Sequence, residues 1–148
     1  MARRFNAVAF IASPTPEAQE AYADLSSRYP HVEPERADAI VALGGDGLML
    51  QSLHRLLGTK KPIYGMNKGT VGFLMNEFRG EGLFERLEAS HRSVIHPLLM
   101  VAWDRTGASH TARAINEVSM LRQTYQAAKL RVSVNSRVRI PELVSDGI

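Results

Sequence analysis

Residues 38–47, DAIVALGGDG, restrict the fold of this chain more than any other stretch. A short apolar run that ends on two glycines suits a strand covered on both faces. Directly after it the period changes: Met49, Leu50, Leu53, Leu56 and Leu57 recur at helical spacing. The same alternation flanks this pair. Residues 5–12 (FNAVAFIA) form a second apolar run that stops at Ser13-Pro14. Thr15 then Pro16 open a helix that runs to about Tyr29, where Pro30 ends it. Residues 62–66 supply a third strand, and Leu83 and Leu87 lie one turn apart in a short helix over 81–90. Strand, helix, strand, helix, strand predicts an α/β layer on a parallel sheet.

Beyond residue 90 the texture changes. Segments 93–103, 111–121, 129–135 and 138–144 read as consecutive strands. Residues 129–135 (KLRVSVN) alternate polar and apolar, as a half-solvated antiparallel strand does. The reading is therefore a Rossmann-like α/β domain over 1–90 followed by the start of an all-β domain over 91–148. The last residues, Asp146-Gly147-Ile148, form a turn into another apolar segment, so the β domain is expected to be truncated there.

Composition narrows the function. At 148 residues, 45% hydrophobic and 22% charged, the chain is an ordinary globular protein rather than a disordered tail or fibre. It has no cysteine, which removes disulfides, thiolate metal sites and thiol nucleophiles. No apolar run approaches the ~18 residues of a membrane helix. The run after Arg3 and Arg4 is short and contains Asn6, so it reads as a strand and not as a secretory signal. A cytoplasmic protein without membrane partners is expected. The net charge is +3, with the basic excess in the second part of the chain and scattered along it. That suits phosphorylated small molecules better than nucleic acid.

Three features could carry chemistry. Gly44-Gly45-Asp46-Gly47 sits where a strand meets a helix N-terminus, and glycines there let backbone approach a phosphate. An acidic side chain in that place would repel an anion, unless Asp46 accepts a proton from an attacking hydroxyl or engages a metal. The plain alternative is a tight turn with Asp46 as helix N-cap. Residues 65–74, GMNKGTVGFL, form a second glycine-rich segment straight after the third strand. Ligands of open α/β sheets bind at the carboxyl ends of strands, so both loops are expected to converge on one site. Phe73 beside Gly72 is, on residue type alone, more often core than ligand-stacking. The third feature is Asn116-Glu117 within the apolar stretch AINEVSML. On a strand they face opposite ways, placing at least one inside or at a rim. Ribose hydroxyls and an adenine edge are suitable partners, and so are neighbouring backbone groups. No Walker loop, dinucleotide fingerprint, zinc-ligand histidine spacing or nucleophile elbow is present.

Taken together, GGDG, GMNKGTVGFL, AINEV and SDG, in that order over about residues 38–148, resemble the NAD kinase family. GGDG alone is shared with diacylglycerol and sphingosine kinases of the same superfamily; the second and third motifs point to NAD kinase. The resemblance implies phosphorylation of the 2′-hydroxyl of the adenosine ribose of NAD, giving NADP. The donor would be ATP or another phosphoryl compound, with a divalent cation such as Mg²⁺. It implies Asp46 as proton acceptor, Gly44, Gly45 and Gly47 as a phosphate loop, and Gly47 also in contact with the dinucleotide. Phe73 would line the pocket, Asn116 and Glu117 would bind adenosine and ribose, and Asp146 would contact the other end of NAD. No residue is assigned to a metal. Leu48 stands where the family usually has threonine, and Lys68 and Thr70 replace residues that are often threonine and histidine. Full-length members are expected to be homo-oligomers, and these 148 residues alone are expected to have weak or absent catalysis. The rival reading is a non-catalytic nucleotide-binding module, and behind it a lipid kinase.

Overall fold

A computed structural model describes residues 5–69 and 72–148; Arg3, Arg4, Thr70 and Val71 of the sequence reading lie outside the described residues. The chain divides into two compact units, Met1–His96 and Pro97–Ile148. The first carries a parallel sheet with helices, the second antiparallel strands.

In the first unit the order is β1 (Val8–Ala12), α1 (Pro16–Arg28), β2 (Ala39–Gly44), α2 (Asp46–Arg55), β3 (Ile63–Asn67) and α3 (Leu83–Ala89). The sheet order is β1-β2-β3, with β2 central. Val8 pairs with Ala39 and Ala12 with Leu43; Ile40 pairs with Ile63 and Gly44 with Asn67. All three strands therefore end at one edge, where the chain turns into the glycine loops.

Both sheet faces are covered, which explains the unbroken apolar runs. Val8, Phe10, Val41 and Leu43 pack with Ala21 and Leu25 of α1 and with Leu83 and Leu87 of α3. Ala9 and Ile40 face the other way, against Ile11, Leu56 and Ile63. Helix α1 buries Ala18, Ala21 and Leu25, one stripe at helical spacing, and starts on Pro16, whose missing N–H costs nothing in the first turn.

Strand β1 begins at Val8, later than the expected residue 5. The backbone N–H groups before it are taken up by carboxylates. The Phe5 N–H donates to Glu88 Oε1 at 2.9 Å. The Asn6 and Ala7 N–H groups donate to Asp38 Oδ2 at 2.8 and 3.0 Å. Those two backbone donors hold the Asp38 carboxyl below its ordinary value.

The second unit holds two hairpins, β4 (Leu98–Trp103) with β5 (Ser109–Ala114) and β6 (Ala128–Val134) with β7 (Arg137–Ser145). Asn135 and Ser136 both adopt left-handed φ, +50° and +62°, as a two-residue hairpin turn of matching twist requires. In the other turn Asp104 Oδ1 accepts the N–H groups of Thr106 and Ala108 at 2.8 and 3.1 Å. Asp104 Oδ2 lies 2.9 Å from His110 Nε2. These bonds, that to His110 foremost, bring the Asp104 carboxyl down to about 2.

Two strand expectations are corrected here. The strand placed over 93–103 starts at Leu98, and the one placed over 111–121 occupies Ser109–Ala114. The register explains both ends. Leu98 is opposite Ala114, so continuing the ladder would bring Pro97, which lacks an N–H, against Ile115. Among the described residues no helix is long and apolar enough to cross a membrane.

Candidate functional site

The site is built at the carboxyl edge of the parallel sheet. Strand β1 leaves through Ser13, whose N–H donates to Leu43 O at 2.9 Å. Strand β2 ends on Gly44, and a Cβ at that position would meet Leu48 Cδ2 at 2.9 Å and Ser13 Oγ at 3.1 Å. Helix α2 then starts with Gly45 as N-cap and Asp46 as its first residue. A side chain at Gly45 or Gly47 would project into open space. What the two glycines leave is bare backbone at the start of α2, ahead of the first helical bonds from Leu48 and Met49 to Gly45 O.

The reading of Asp46 as an N-cap is corrected by this geometry: Gly45 is the cap, and the Asp46 side chain makes no capping bond. The carboxylate reaches across to the second loop. Asp46 Oδ2 accepts the Phe73 N–H at 2.8 Å, and Asp46 Oδ1 accepts the Leu74 N–H at 3.0 Å. The carboxylate thus bridges the start of α2 and the second loop.

The second loop follows β3 and crosses the first. The Lys68 N–H donates to Gly44 O at 2.9 Å, and Asn67 Oδ1 accepts the Gly69 N–H at 3.0 Å. The Lys68 ammonium stands 3.6 Å above the Phe78 ring centroid, a cation–π contact. The chain then returns along β3, with the Asn76 N–H donating to Gly65 O at 2.9 Å. The structure therefore brings Gly44, Asp46, Lys68 and the backbone of 72–74 together. The Phe73 side chain is fully exposed, and its backbone N–H is what joins this cluster.

In the second unit Asn116 and Glu117 are both exposed and lie outside any strand. The expectation of a strand pair with one side chain inside is corrected, because β5 ends at Ala114 where its partner runs into Pro97. Asp146 follows β7 and pairs with Arg122, Nε to Oδ1 2.6 Å, while Arg122 Nη1 also donates to Thr124 O. The backbone here is closely paired. The Arg122 N–H donates to Asp146 O at 2.9 Å, and the Met120 and Ile148 N–H groups each donate to the other's carbonyl at 2.7 and 3.0 Å. A Cβ on Gly147 would fall on Met120 O. Leu121, Arg122, Gln123, Thr124, Tyr125 and Asp146 line an open hollow of about 620 Å³.

Sequence reasoning missed Arg122 and the amides of Phe73 and Leu74. An arginine in LRQ carries no local signal, and a backbone donor has none at all. Among the described residues no three His, Cys, Asp or Glu side chains gather as a metal cage.

Comparison with known proteins adds the following. Residues 2–93 match the family described as ATP-NAD kinase N-terminal domain. The chain is 59% identical over 140 residues to an NAD kinase of Caulobacter vibrioides, which covers 95% of this chain and 54% of that protein. It is 53% identical over 148 residues to an NAD kinase of Rhizobium meliloti, covering 100% of this chain and 58% of that one. The chain thus spans about half the length of the curated relatives it matches. Among solved structures, yeast NADH kinase complexed with NADH shares the fold, with a TM-score of 0.64 at 18% identity, covering 96% of this chain and 53% of that one.

Proposed function

This chain belongs to the NAD kinase family, and we propose that it serves transfer of a phosphoryl group from ATP to the 2′-hydroxyl of the adenosine ribose of NAD. The observation that carries this reading is the Asp46 carboxylate, placed at the start of α2 and held against the loop after β3. Each of its oxygens accepts one backbone N–H and keeps a second lone pair for a substrate hydroxyl.

In this reaction the ribose oxygen forms a bond to the γ-phosphorus as the bond from that phosphorus to the ADP oxygen breaks. The hydroxyl proton passes to Asp46. Such transfer needs positioning and charge stabilisation more than covalent chemistry, and one carboxylate beside bare helix-terminal backbone supplies both. A divalent cation such as Mg²⁺ would neutralise charge on the donor phosphates. Asn116, Glu117, Asp146 and Phe73 are proposed NAD contacts on the strength of the motifs they belong to.

The test is NADP formation from NAD, ATP and Mg²⁺, by this chain and by a version carrying the further length of its relatives. Turnover in the longer protein supports the reading. NAD binding without turnover in either supports a non-catalytic binding module. Absence of both binding and turnover sinks it.

A further inference from the structure

Residue 72 sits at an unusual point in the second loop. A Cβ added to Gly72 would overlap Asp46 Oδ1, lie 2.8 Å from Asp46 Cγ and 3.1 Å from Asp46 Oδ2. All three nearest atoms thus belong to one carboxylate. The nearest demand at this position is therefore for space toward Asp46.

The two N–H groups that bind that carboxylate follow immediately, on Phe73 and Leu74. A side chain at 72 would push the carboxylate off both donors, because real Cβ atoms do not approach oxygen this closely. We propose that Gly72 is a positioning residue: its missing side chain lets the loop after β3 clamp the Asp46 carboxylate in one orientation for the acceptor hydroxyl. The inference rests on the phosphoryl-transfer reading for its catalytic half, whereas the clamp itself is a separate physical claim. The loop is thereby part of the machinery through backbone donors, which a survey of side chains at the site does not reveal.

A double-mutant cycle tests the clamp without reference to activity. Gly72→Ala in the wild-type background should lower the melting temperature by about 2–4 °C. In an Asp46→Ala background the same change should cost less than half as much, since the colliding atoms are gone. Hydrogen exchange at the Phe73 and Leu74 amides should be slowed in the wild type and lose that protection in either single variant. An equal cost of Gly72→Ala in both backgrounds, or unprotected amides in the wild type, overturns the clamp.

The catalytic half is read in the variant that forms NADP. Gly72→Ala should lower kcat by about 10- to 100-fold while KM for NAD stays within about twofold. Coupled stability with unchanged kcat overturns the positioning role. Coupled stability with no NADP from any variant, the wild type included, brings down the proposed reaction and the positioning role together and leaves the clamp standing.

Discussion

In the α/β unit Leu25, Ile40, Leu43 and Met66 are sealed from solvent, while in the β unit Leu99, Trp103, Leu121 and Val144 keep more than half their surface exposed. Among the described residues every buried hydrophobic side chain falls between Phe5 and Leu87. Both regions contain runs of valine, leucine and isoleucine, so composition does not separate them. What does is the partner each run finds. In β2 neighbouring strands pair with both edges and apolar groups cover both faces. Each hairpin of the β unit has one paired edge, and a two-stranded ribbon alone is marginal in water. Its order comes from turns and backbone pairing, in Asp104–His110, Asn135–Ser136 and 120–122 against 146–148.

The largest expected contrast is between core truncations. Leu25→Ala should cost about 2–5 kcal/mol, read from denaturant unfolding followed by far-UV circular dichroism. Leu99→Ala, at a side chain 67% exposed, should cost within about 0.5 kcal/mol. Comparable losses at both would show that the β hairpins are covered in solution and would break the contrast.

A smaller effect is expected at Gly147. Gly147→Ala places a methyl group on Met120 O and should cost about 1–3 kcal/mol, confined to the β unit. Amide exchange should accelerate at Met120, Arg122 and Ile148 and stay unchanged in β2. Acceleration in β2 as well would mean that the two units unfold together.

The smallest effect concerns Asp104. Its carboxyl is lowered from 3.8 to about 2 in the folded state, so the stabilisation it brings is present above its unfolded value near 4 and is lost as pH falls through about 2. Proton resonances of the β4–β5 turn should follow that transition. Asp104→Asn should abolish it while leaving the resonances of β2 untouched.

The contrast also explains what was legible in the sequence. β2 could be read because burial on both faces writes itself as an unbroken apolar run, β1 because its first three residues are buried in the same way, and α1 because Ala18, Ala21 and Leu25 recur on one stripe. The strand through Asn116 and Glu117 was misread because its end is decided by Pro97, on the opposite strand, and not by its own residues. The two glycine loops could be placed at the sheet edge. The bond from Phe73 to Asp46 could not, since it joins residues 27 apart through a backbone donor that any residue but proline provides. The N-cap reading of Asp46 failed for the same reason: the carboxylate found better partners in another loop.

The most direct test of the account is Asp46→Asn in a protein that forms NADP from NAD, ATP and Mg²⁺. Asparagine keeps the shape and one acceptor oxygen, but it cannot take up the ribose proton. Its kcat should be about 10²- to 10⁴-fold lower, with NAD binding retained. A variant that turns over at the wild-type rate would contradict it.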